Sequence, residues 1–166
     1  MAATVQIQEI NGAGATATDK TSGTIRFKNA DNSTVDTVNP MVKPTSGTDW
    51  SYKKWLAFNV TAGTYTSITN IKTYSDGSNG WTGIKLFAKS ATSTYSTPAE
   101  ETATTGYLDF FGYTANGALT VGGAGGATYS STGIKGNYIE MAMEVYSTAG
   151  AGTLAGETMT WSWDEV

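Results

Sequence analysis

With 166 residues, 39% of them hydrophobic, the chain is long enough to build one domain around a real core. Only 14% of residues are charged, against about 25% in an average globular protein, and Thr, Ser, Gly and Ala take their place. A net charge of −4, with Lys53-Lys54 the only adjacent basic pair, argues against nucleic acid or an anionic membrane as partner, and the absence of Cys excludes disulfides and thiolate chemistry.

The chain begins Met1-Ala2-Ala3-Thr4-Val5-Gln6, with no basic segment followed by an apolar one, and no run is long and apolar enough to span a bilayer. Assembly in a cytoplasm is the expectation. Residues 4–10 alternate weakly, and 11–18 are Gly, Ala and Thr without periodicity. Residues 1–22 therefore read as a flexible N-terminal arm. Its apolar anchors, Val5, Ile7 and Ile10, would engage a partner by adding a strand to a neighbouring sheet edge.

From Gly23 the pattern is that of short strands. Ile25 and Phe27 alternate with polar residues, and Pro40 and Pro44 bracket an irregular crossing. Trp50 to Thr61 is rich in aromatics, with Leu56, Phe58 and Val60 on one face and Trp55 and Ala57 on the other, as a central strand would have. Ile68 and Ile71 follow, ended by the turn Asp76-Gly77-Ser78-Asn79-Gly80. Ile84, Leu86 and Ala88 alternate; residues 90–105 are irregular; Tyr107 to Tyr113 alternates again. Gly122 to Gly126 reads as a flexible loop. Ile139, Met141, Met143 and Val145 alternate with Glu140, Ala142 and Glu144, the mark of a strand with one wet face. Met159, Trp161 and Trp163 alternate after it. The expectation is all-β: an antiparallel β-sandwich over residues 23–166, with a jelly roll as one form of it. The strands at 139–145 and 159–163 are expected to be adjacent, with Met141, Met143, Trp161 and Trp163 in the core.

Little in the sequence points to chemistry. There is no His, so imidazole catalysis and His-bearing metal sites are absent along with the thiol ones. Glu140 and Glu144 would share a strand face about 13 Å apart, beyond the 5–9.5 Å of glycosidase carboxylates, and read as solvated. Glu100-Glu101 reads as a solvated turn. The 76–80 run lacks the ligand order of a calcium loop, and Gly122–Gly126 lacks the lysine and helix of a phosphate loop. No catalytic residue, metal site or cofactor is expected, and the chain reads as a binding or structural domain and not an enzyme. The residues that suggest a surface function are Trp50, Tyr52, Trp55 and Trp81, suited either to stacking on sugar rings or to anchoring a protein interface.

Three runs carry a resemblance. Trp50-Ser51-Tyr52-Lys53-Lys54-Trp55-Leu56, then Ile68-Thr69-Asn70-Ile71-Lys72 with Ser75-Asp76-Gly77, and the close from Tyr138-Ile139-Glu140-Met141 through Ala155 to Glu165, are similar to small virion structural proteins of tailed bacteriophages. The likeness spans most of residues 20–166. It implies a capsid decoration protein, a homotrimer on the capsid surface that binds the major capsid protein and reinforces the head. The alternative reading is a carbohydrate-binding or adhesin-like sandwich, as in a head fibre or tail component, using Trp50 to Trp81 as its platform.

Overall fold

The computed structural model describes residues 2–35, 37–123 and 127–166. Ten strands form two antiparallel sheets, and no α-helix occurs among the described residues. The strands are β1 (Thr4–Asn11), β2 (Thr16–Asp19), β3 (Thr48–Trp50), β4 (Lys54–Ala62), β5 (Ile68–Tyr74), β6 (Ile84–Ser90), β7 (Leu108–Asp109), β8 (Leu119–Gly122), β9 (Gly133–Tyr146) and β10 (Thr160–Glu165). The large sheet runs β2-β1-β4-β9-β6-β7, with β3 also on β9; the small one runs β10-β5-β8. The all-β sandwich expected from alternation is the fold.

The core lies between the sheets. Strand β4 supplies Leu56, Phe58 and Val60, β5 supplies Ile68 and Ile71, and β9 supplies Ile139, Met141, Met143 and Val145, all buried. Strand β9 is the longest and pairs with β4 and β3 on one side and β6 on the other. Phe58 joins the layers: its ring centroid lies 5.2 Å from that of Trp163 and 6.2 Å from that of Trp161. Gly136 lets β8 cross close to β9. Its φ is +75°, and a Cβ there would stand 2.5 Å from the Val121 carbonyl oxygen.

Four expectations are corrected. Residues 1–22 are not a free arm, because β1 pairs with β4 from Thr4 to Ile10 and β2 closes a hairpin on it. Alternation weak in the sequence is enough here, since β1 fills the edge that β4 offers on the side away from β9. Strands β9 and β10 are not neighbours but lie in opposite sheets, so the Trp161 and Trp163 rings meet β4 across the core. No strand forms at residues 23–28; Ile25 and Phe27 pack on the core from an irregular segment. Tyr107 to Tyr113 holds only the short β7 before a 3-10 turn, Phe110–Gly112, that buries two consecutive phenylalanines, which a strand cannot do on one face. Of the glycine run at 122–126, positions 124–126 lie outside the described residues, and Gly122 ends β8.

Candidate functional site

The residues proposed as a surface site do not form one surface. Trp55 is buried on the outer face of the large sheet, where its ring lies edge-on to Tyr95 and Tyr138 over Ile10 and Ala57. Trp81 is on the other side of that sheet, packed against the inter-sheet core, edge-on to Phe111, with its indole N–H donated to the Ala155 carbonyl. Trp50 is half-buried against Phe87 at 5.6 Å, and Tyr52 is half-buried, bridged to Glu100. A sugar platform of these four rings does not exist. Ile7 and Ile10 are buried on opposite faces of β1, and Val5 is half-buried, so none of the three is free to anchor a partner.

The outer face of β9 is dry rather than wet, which corrects the reading of Glu140, Glu144 and Glu101. The segment 91–107 lies over it, tied by backbone bonds from Ala91 to Tyr138, from Lys53 to Ala99 and from Glu101 to Ser51. Beneath it Glu140 accepts from the Tyr107 hydroxyl at 2.9 Å and pairs with Lys89 and Lys53 at 3.3 and 3.6 Å. Lys53 also reaches Glu101 at 3.3 Å, and Lys89 lies 4.2 Å from the centre of the Tyr107 ring. Burial, followed by the Glu101 and Glu140 carboxylates, drives the Tyr107 hydroxyl far above its usual range, so it stays protonated. Burial works against the Glu101 carboxylate. The Thr102 amide, the Tyr107 hydroxyl, Lys53 and the Ala103 amide outweigh it and hold its carboxyl below the usual value. Glu144 accepts from Tyr146 at 2.7 Å.

A second ionic cluster lies on the inner face, where β1 and β4 meet the segment 28–34. Glu9 and Lys54 are fully buried and bonded at 2.8 Å, with Lys20 at 3.7 Å from the other carboxylate oxygen. The lysines also hold that segment: Lys54 donates to the Asn32 carbonyl, Lys20 to the Ser33 carbonyl and Lys28 to the Asn32 side chain. Sequence inspection missed this pair, although a signal was present. Glu9 stands two residues past Ile7, and Lys54 two before Leu56, so each occupies a core-facing position of its strand.

Two open features remain. Between the sheets, beneath segments 20–43 and 150–159, lies a cleft of about 780 Å³ walled by Met41, Trp81, Leu86, Met143, Met159 and Trp161. On the same long loop Val35, Val38 and Val42 are about three-fifths exposed. No group of three or more metal-ligating side chains occurs among the described residues. Each carboxylate of the two clusters is bound to lysine or tyrosine.

No family model, no curated protein and no solved structure matches the chain.

Proposed function

We propose that this chain is a structural, shell-binding module: a capsid decoration protein of a tailed bacteriophage, attached to the major capsid protein on the outer surface of the head. The observation that carries the reading is the likeness of residues 50–56, 68–77 and 138–165 to small virion proteins of that kind. The three runs supply the first three residues of β4 and most of β5, β9 and β10. The carboxylates locked beneath the 91–107 segment favour a holding role, and the exposed valines at 35, 38 and 42 offer an apolar contact surface of the sort protein partners cover. Trimerisation is part of the proposal and comes from the resemblance alone. The glycan-binding alternative loses its platform, since Trp55 is buried and Trp81 faces the other way.

Gradient-purified virions test it. The chain should band with the heads in a fixed ratio to the major capsid protein. The triple variant Val35→Ser, Val38→Ser, Val42→Ser should leave the free domain's unfolding nearly unchanged and strip the chain from the particles. Heads that carry none of the chain refute the reading.

A further inference from the structure

The inner face of the β1–β4 ladder brings together three side chains of complementary reactivity. The β1–β4 register ends with Ile10 against Trp55; Asn11 follows Ile10 on β1 and Lys54 precedes Trp55 on β4, and Glu9 lies on the same face of β1 as Asn11. All three are buried. Glu9 Oε1 accepts from Lys54 Nζ at 2.8 Å and from Asn11 Nδ2 at 3.3 Å. A single carboxylate oxygen thus touches both a primary amine and the nitrogen of a side-chain amide. The second hydrogen of Asn11 Nδ2 goes to Asp31 Oδ1 at 2.9 Å, and Asn11 Oδ1 is buried without a hydrogen-bond partner. Turning the amide over would aim its oxygen at two carboxylates, so the orientation is forced.

We propose that Lys54 and Asn11 join through an intramolecular isopeptide bond, with Glu9 carrying the protons. Glu9 takes a proton from the Lys54 ammonium, and the freed lone pair of Nζ attacks Asn11 Cγ. The Nζ–Cγ bond forms while the carbonyl electron pair moves to Oδ1. Glu9 then passes its proton to Nδ2 and takes the next one from Nζ. The carbonyl reforms, the Cγ–Nδ2 bond breaks, and ammonia leaves, carrying off the last proton as ammonium. In balance, one ammonium side chain and one amide become a secondary amide and a free ammonium ion, with no oxidant or co-reactant. Holding the amine, the amide and their proton carrier together in a dry site supplies the proximity and acid–base help that the uncatalysed reaction lacks. No donor reaches Oδ1, where charge builds up during attack, so closure is a slow, single event after folding and not a fast catalytic one.

The product fits its surroundings. The remaining N–H on Nζ can keep its bond to the Asn32 carbonyl, and Glu9 keeps Lys20. In a chain without Cys, the bond would tie the first strand to β4 and stop it from peeling off the sheet. A rival route also expels ammonia from Asn11, by attack of the Gly12 backbone nitrogen to form a succinimide. The Gly12 N–H is held by Asp31 Oδ2 at 2.8 Å, which ties up that nitrogen.

Mass spectrometry of the full-length protein, denatured after purification, decides the matter. The expected result is a mass one ammonia below that of the sequence, and after proteolysis one branched peptide joining the segments that contain Asn11 and Lys54. Glu9→Gln and Lys54→Arg should each yield the two segments as separate peptides. Read after denaturing digestion, that outcome does not require either variant to fold. Unlinked segments in the wild-type protein overturn the proposal, as does an ammonia deficit that maps to a linear succinimide at Asn11-Gly12. A linked Glu9→Gln protein overturns the role given to Glu9.

Discussion

Phe58→Ala removes a fully buried ring that belongs to the large sheet and touches both tryptophans of β10 in the small one. Truncating a core phenylalanine destabilises by about 3–5 kcal/mol, from lost transfer energy plus the cavity left behind. About 0.5–1.5 kcal/mol of that belongs to each aromatic pair. Domains are stable by only about 5–15 kcal/mol in total, so the variant should fold, but with a thin margin. For a urea slope of about 2 kcal/mol/M, the midpoint should drop by roughly 1.5–2.5 M with the slope unchanged. Tryptophan fluorescence is a suitable readout because Trp161 and Trp163 lie against the missing ring. Phe58→Leu keeps most of the volume and loses mainly the two ring contacts, so it should cost about 1–3 kcal/mol and less than the alanine variant. A drop for the alanine variant below roughly 0.5 M, or equal losses for alanine and leucine, would refute the claim that Phe58 joins the two sheets.

Three further outcomes follow from the geometry. Deleting residues 2–11 removes β1, bares the edge of β4 and leaves Lys54 without Glu9; the truncated chain should be unfolded or insoluble by circular dichroism and size exclusion, whereas a soluble domain with native unfolding would restore the free-arm reading. Gly136→Ala combines a left-handed backbone with a Cβ against the Val121 carbonyl and should destabilise by about 2 kcal/mol or more in chemical denaturation, while Gly14→Ala, with open space around it, should change little. The Tyr95 hydroxyl is pushed up to about 12 from 10.0, by burial first and then by Asp31 and Tyr138. Below pH 10 it is protonated in both states; between 10 and 12 the unfolded chain gives up a proton that the folded one keeps, so stability should fall as pH rises through that window. Tyr95→Phe should flatten part of that fall, and a denaturation midpoint with the same alkaline slope in both proteins would count against the assignment.

Local pattern by itself determined the fold class and the strongest strands. The alternation of Ile139, Met141, Met143 and Val145 places four side chains on one face, and all four are core. The aromatic run around Phe58 likewise announced β4, and the missing His and Cys narrowed the chemistry before any fold was known. Only the tertiary structure decided what covers each face. Glu140 alternates like a solvated residue, and becomes buried because a segment 33 residues earlier in the chain brings Tyr107 down on it. Glu9 and Lys54 are 45 residues apart, so neither burial nor pairing is visible in a local window. Residues 4–11 carry too little apolar contrast to declare a strand, and become one because β4 presents unpaired backbone groups that must be satisfied. Periodicity is a property of neighbours in sequence, while burial, pairing and reactivity belong to neighbours in space; that difference is why the most strongly alternating strands of this protein could be read in advance and its ionic clusters could not.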